Sequence, residues 1–249
     1  MITTIEELSL NAWAALQTVL YDGWVIRFAA GYTKRANSVN PLYSSSIAVD
    51  EKIHFCEHVY QKRHLAVVFK MTASVYPGDL DEKLQARGYQ IDSPTSVQTI
   101  DLNAVSLPEI PAAELQDELS AAWLENYCRM NAVPDVHSQT LRRILENIVP
   151  AHCFVALKLN DRVVACGLGV LQSGYVGLFD IVTDKDFRNR GYGQQIVQGI
   201  LAWGKQNQAH TGYLQVMLNN QPALHLYAKV GFVEQYRYWY RVKAKLVAD

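Results

Sequence analysis

From residue 112 onward the apolar positions fall into blocks whose period switches between helical and extended. Residues 112–130 carry Leu115, Leu119, Trp123 and Tyr127 at helical spacing. Residues 138–148 place Leu141, Ile144, Leu145 and Ile148 on one face, with Ser138 as the N-cap, so both blocks predict helices. Three strand-like runs follow at 153–159, 163–171 and 176–183. The turn pairs Asn160-Asp161 and Ser173-Gly174 between them predict antiparallel hairpins. A helix over 193–206, a strand over 213–218 and a short helix over 222–229 come next. Pro222 sits where a first helical turn tolerates proline, and Gly231 closes the helix ahead of an aromatic strand over 233–242. The order ααβββαβαβ passes from hairpins to crossovers. It calls for an α/β (α+β) fold with a mixed, mostly antiparallel sheet flanked by helices.

The first half shows a fainter copy of this pattern. Strands are expected at 24–31 and 36–42, a helix at 49–62, a strand at 65–71 and a helix at 80–87. Gly88-Tyr89 follows that last helix as Gly231-Phe232 follows the later one, and Leu65-Ala-Val-Val-Phe69 matches Leu214-Gln-Val-Met-Leu218 in type and place. A tandem duplication is the expectation. After an alternating strand at 96–102, the segment 103–111 has two prolines and no apolar period. The expected division is therefore 1–102, a linker at 103–111, and 112–249.

Composition narrows the chemistry. Of 249 residues, 49% are hydrophobic and 19% charged, which excludes a disordered chain or a coiled coil. Lys and Arg number 23 against 24 acidic residues, so bulk positive charge for nucleic acid is missing and any anion must be held locally. Residues 1–10 lack the layout of a secretory signal, and no run approaches a membrane span. Cys56, Cys128, Cys153 and Cys166 are widely spaced, without a CxxC pair, and read as reduced thiols rather than a metal or disulfide framework. A cytoplasmic protein without metal, with no nucleic-acid or membrane partner, is expected.

One segment carries the chemistry. Arg188-Asn189-Arg190-Gly191-Tyr192-Gly193 lies between a predicted strand and a predicted helix. Its glycines let the backbone approach a guest, successive N–H groups point outward, and the helix presents its positive end. A phosphate or pyrophosphate suits such a cradle. No Lys and Ser/Thr follow the glycines as in a Walker loop, and the third glycine of a dinucleotide fingerprint is missing.

Strand, RxxGxG and helix together resemble the pyrophosphate loop of the Gcn5-related N-acetyltransferase (GNAT) superfamily. The run Ile181 to Arg188 resembles that family's fourth strand and the turn after it. Asn220-Gln-Pro-Ala223-Leu-His-Leu226-Tyr227-Ala-Lys-Val-Gly231-Phe232 is similar to its N-x-x-A-x-x-L-Y-x-x-x-G-F signature. The likeness covers about residues 112–243, and the chain resembles two-domain members with a degenerate first half. It implies that backbone amides from Arg188 through Asn189, Arg190, Gly191, Tyr192 and Gly193 to Gln194 hold the pyrophosphate of acetyl-CoA. It also implies that Ile181, Val182 and Thr183 pair with the pantetheine arm, that Asn220 and Ala223 lie along the cofactor, and that Tyr227 faces the sulfur and acts as general acid. Asn220 serves equally as an N-cap.

Transfer to an amine needs a neutral amine, a donor for the developing oxyanion and a proton for the thiolate. Asp180 interrupts an apolar run and is the candidate base, with ordered water or a structural carboxylate as the alternative; His225 is a weaker candidate. The backbone N–H near Ile181 is the candidate oxyanion donor. In the first half no RxxGxG precedes the helix, and Leu84 falls opposite Tyr227, so a second cofactor site is not expected. The basic segment from Gly31 to Pro41 either lines an acceptor site or is a solvated hairpin. The function expected is acetyl transfer from acetyl-CoA to a small-molecule or peptide primary amine by a monomer or homodimer. The alternatives are a non-catalytic acyl-CoA-binding or regulatory module, and a transferase of a larger acyl group.

Overall fold

A computed structural model describes residues 1–105 and 113–243. Residues 106–112, which include most of the expected linker, and the expected last residues 244–249 lie outside the described residues. The chain forms two compact units. One comprises residues from Met1 to Ser96 with the end of the last strand from Tyr236, and the other runs from Val97 to Gln235. The units part after Ser96 and after Gln235.

The first unit opens with α1 (Ile2–Ala12), β1 (Gln17–Tyr21) and β2 (Trp24–Phe28). A 3₁₀ turn (Lys34–Ala36) leads into the short β3 (Val39–Pro41), so the strand expected over 36–42 is shorter and begins as a turn. Helix α2 (Val49–Gln61), β4 (Val67–Thr72), α3 (Leu80–Ala86) and the long β5 (Gln90–Asp101) follow. Helix α1 and β1 carried no prediction. The β1–β2 hairpin pairs Tyr21 with Trp24, β2 pairs antiparallel with β3, and β3 runs parallel to β4. Trp24, Ile26, Ile53, Phe69, Met71 and Leu84 form the core.

The second unit contains β6 (Ala113–Gln116), α4 (Ala121–Asn131), α5 (Asp135–Glu146), β7 (Ala151–Leu159), β8 (Arg162–Gln172) and β9 (Tyr175–Thr183). It continues with α6 (Tyr192–Gln206), β10 (Thr211–Met217), α7 (Gln221–Val230) and the start of β11 (Val233–Lys243). The helix expected over 112–130 is two elements. Leu115 sits 44% exposed on β6, and Ser120 Oγ accepts from Trp123 N at 3.1 Å, capping a helix that begins only there. Ser138 is not the N-cap of α5; it lies inside that helix, donating to Asp135 O at 2.8 Å, and Pro134 stands at the start. Strands β6, β7, β8 and β9 pair antiparallel in turn, and β9 runs parallel to β10. Val155, Val164, Leu178, Ile196, Ile200 and Leu214 are buried between this sheet and α6. Each such side chain contributes about 1.5–3 kcal/mol when taken from water.

Strand β4 of the first unit is continued by β11, with Tyr238 opposite Thr72 and Lys243 opposite Val67. Ion pairs fasten this strand end. Arg241 Nη2 lies 2.6 Å from Asp81 Oδ2, and Trp239 Nε1 donates to Asp81 Oδ1 at 2.8 Å. Buried Glu6 takes Lys70 Nζ at 2.5 Å and the Tyr236 hydroxyl at 2.8 Å. In the second unit β10 has β5 on its other side, with Leu102 N donating to His210 O at 2.9 Å.

Candidate functional site

The parallel ladder between β9 and β10 runs from Tyr175 opposite Thr211 to Leu178 opposite Leu214 and then stops, although both strands continue. The interruption coincides with a bulge in β9. Phe179 pairs with Leu168 and Val182 with Cys166, so Asp180 and Ile181 together oppose Gly167, and Asp180 adopts φ +52°. A bulge bends and re-aims its strand. Beyond it, Ile181, Val182 and Thr183 line a cleft of about 810 Å³.

The second wall is the loop into α6. Asn189 (φ +61°) and Gly191 (φ +83°) both adopt left-handed backbone, which only glycine takes without strain. Gly191 is the N-cap of α6 and provides no side-chain cap, and a Cβ built on it would meet nothing within 4 Å. Helices α4 and α7, in contrast, are capped by Ser120 and by Asn220, whose Oδ1 accepts from Ala223 N at 3.3 Å. The first amides of α6 have no intrahelical acceptor, so an open cradle with helix-dipole character stands at the cleft end.

Asp184 anchors the loop from behind. Its Oδ2 accepts from Arg129 Nη1 at 2.5 Å and Arg162 Nη2 at 2.9 Å, and its Oδ1 accepts from Asp186 N at 3.2 Å. The Arg129 hydrogen bond, foremost, holds its carboxyl down at about 2. Arg188 lines the cleft with its Nε 3.4 Å from Thr183 O. Arg190 is not a wall residue; its guanidinium lies 5.3 Å from the Phe187 ring centroid, where Arg162 also stacks at 5.0 Å.

The third wall is α7. Asn220, Ala223 and Tyr227 line the cleft with Pro222, His225 and Leu226. Tyr227 is 8% exposed and packs edge-on against Phe232 at 5.9 Å, and burial pushes its phenol up to about 12. His225 is exposed on the same helix. Asp180 does not line the cleft. Its Oδ1 accepts from the Tyr127 hydroxyl at 3.0 Å, which in turn accepts from Asn131 Nδ2 at 2.9 Å, and Asn131 is a wall residue. Tyr127 is fixed by stacking on Trp123 at 5.3 Å.

The cleft thus gathers every residue expected along the cofactor except Arg190. Asn131, Phe187 and Lys229 were not anticipated. Lys229 shares a helix face with Pro222, Ala223 and Leu226 by its spacing, which the sequence displays; nothing local marks Asn131, at the end of a helix whose start was misplaced.

In the first unit, Leu84 is wholly buried in the core. The segment from Gly31 to Pro41 is not a solvated hairpin. Asn37 Oδ1 accepts from Ala29 N (2.7 Å) and Gly31 N (2.9 Å), Lys34 Nζ pairs with Asp92 at 2.6 Å, and Arg35 stacks over Trp13 at 4.5 Å. Among the described residues no helix is long and apolar enough to cross a membrane.

Comparison with known proteins agrees with this architecture. The profile of the family described as "Probable histone acetyltransferase Rv0428c C-terminal" matches residues 1–241. An uncharacterized N-acetyltransferase, YobR, from Bacillus subtilis (strain 168) is 27% identical over 247 residues, covering 97% of this chain and 98% of the relative. A GCN5-related N-acetyltransferase from Kribbella flavida shares the fold with TM-score 0.70 at 13% identity, over 97% of this chain and 95% of that one. A tandem GNAT protein from the clavulanic acid biosynthesis pathway does so with TM-score 0.62 at 11% identity, over 98% and 89%. With the profile matching residues 1–241, the chain belongs to the Rv0428c C-terminal family of GNAT N-acetyltransferases.

Proposed function

We propose that this chain transfers the acetyl group of acetyl-CoA to a primary amine, and that the cleft of the second unit is where it does so. The observation that carries the proposal is the uncapped start of α6, opening on a cleft that begins where β9 and β10 part and is walled by Tyr227. The residues fit the co-substrate. Amides from Arg188 to Gln194 hold its pyrophosphate, the unpaired edge of Ile181, Val182 and Thr183 takes its arm as an added strand, and Asn220 and Ala223 border that arm.

Acetyl-CoA supplies an activated carbonyl carbon with a thiol leaving group. The amine nitrogen bonds to that carbon, the carbon–sulfur bond breaks, the nitrogen gives up a proton and the sulfur receives one. Tyr227, kept protonated by burial, donates a hydrogen bond to the departing sulfur. Ile181 N–H faces the developing oxyanion. Asp180 is set back from the cleft and acts through two intermediaries, the Tyr127 hydroxyl that it accepts from and the Asn131 amide that donates to this hydroxyl.

A thiol-release screen with acetyl-CoA against amino acids, polyamines, aminoglycosides and peptide amines tests the reading. Turnover with at least one class, together with a rise in Tm on adding acetyl-CoA, is expected. Tight cofactor binding without thiol release across the panel would replace transfer by a binding role.

A further inference from the structure

We infer that the first unit contains an anion cradle of its own, in the loop that leads into α2, and that the ligand of this cradle is the chain's own Asp22. The loop stands in the unit where the loop into α6 stands in the second, after the strand that runs parallel to its neighbour and before the crossover helix. Its amides already hold an anion. Asp22 Oδ2 accepts from Ile47 N at 2.8 Å and Ser46 N at 2.9 Å, while Oδ1 accepts from Ser46 Oγ at 3.0 Å.

A built site surrounds that carboxylate. Lys52, 0% exposed on the first turn of α2, donates to the Asp22 carbonyl oxygen and lies 3.3 Å from Oδ2, with its ammonium over the Trp24 ring at 4.2 Å. Asp22 and Gly23 form the β1–β2 turn with φ +42° and +81°. Gly23 lets that turn dock, because a Cβ there would lie 2.4 Å from Ser44 O and 2.7 Å from Tyr43 O, and Tyr43 N donates to Gly23 O at 3.1 Å. The Ile47 amide, foremost, holds the Asp22 carboxyl down at about 2, so the anion is permanent at ordinary pH.

In the second unit Asn160 stands in the place of Asp22. The β7–β8 hairpin follows the same left-handed turn, Asn160-Asp161, and then presents Arg162 to Asp184, at the beginning of the loop. A guanidinium on the hairpin leaves the amides into α6 free for an external anion. A carboxylate on the hairpin takes the amides into α2 for itself. The ligand class is therefore an oxyanion in both cradles, external in one and internal in the other, and the chain takes up one acetyl-CoA rather than two. This holds whether or not the second unit transfers an acetyl group.

Residue-resolved NMR on the full chain tests it. In the wild type the Ser46 and Ile47 amides should exchange with solvent about tenfold or more slowly than those of Ser44 and Ser45, and inorganic pyrophosphate at matched ionic strength should leave both signals in place. In Asp22→Ala, pyrophosphate should shift both signals saturably. Should the alanine variant not fold, Asp22→Asn keeps the shape and removes only the charge, and the same shift is expected there. Fast exchange of both amides in the wild type, a pyrophosphate response in the wild type, or no response in a folded Asp22 variant would each overturn the inference.

Discussion

The two units run through the same sequence of strands and crossover helices, yet differ at the two places where chemistry would be done. At the start of the crossover helix, α6 is uncapped behind Gly191, while the loop into α2 is closed by Asp22. On the next helix, Tyr227 walls a cleft, while Leu84 is 0% exposed in the core. Under the proposed function, activity and stability thus fall at equivalent positions in different units. A fold can be kept while its site is filled from within, by packing at one position and by an internal ion at another.

The largest expected effect breaks the comparison on the stability side. Leu84→Ala should destabilise the protein by about 2–5 kcal/mol, because it opens a cavity in a closed core, while acetyl-CoA affinity of the folded fraction stays as it was. Denaturant unfolding and calorimetric titration measure the two separately; a loss of affinity would make Leu84 part of the site. Next comes Gly191→Asp, which forces a side chain into left-handed backbone and sets a carboxylate over the amides of α6. Acetyl-CoA binding should weaken by about 100-fold or more. An unchanged dissociation constant would place the cofactor elsewhere.

Tyr227→Phe should lower kcat by about 10- to 100-fold and leave the acetyl-CoA dissociation constant within about twofold. Full turnover in that variant would remove the hydroxyl from the mechanism. The smallest effect concerns pH, and it joins the two units. Asp22 and Asp184 are each held at about 2, below an ordinary value near 3.8, so their stabilisation is complete above 3.8 and disappears as pH falls towards 2. Asp22→Asn and Asp184→Asn should each flatten the acid limb of a stability profile over that window, the first mainly for signals of the first unit and the second for those of the second. An acid limb unaltered in both would deny either carboxylate a role.

Much of this was legible in the sequence because the pattern there has one interpretation. The hairpins from β7 to β9 are fixed by two turn pairs with positive φ, and α6 and α7 by their apolar faces and by Gly191 and Gly231 at their ends. Reading failed where the pattern was ambiguous or weak. Leu115 and Leu119 continue the spacing of Trp123 and Tyr127 by coincidence, although Ser120 is a competent cap inside the run. Strand β1 is mostly exposed and so has no buried alternation, and Pro94 and Ser93, at φ +47°, masked the first half of β5. The cradle motif could be read because backbone geometry demands glycine there. Asp22 could not, because its role depends on a loop more than twenty residues later, brought to it by a hairpin turn.

The final strand has a consequence for how this protein comes into being. Strand β4 is paired by Tyr238–Lys243, about 170 residues further along the chain, so it is synthesised well before its neighbour. Until then an apolar edge strand is exposed, a template for pairing with other nascent chains. A chain interrupted just before Tyr238 would therefore injure the first unit, although the break lies far from it in sequence.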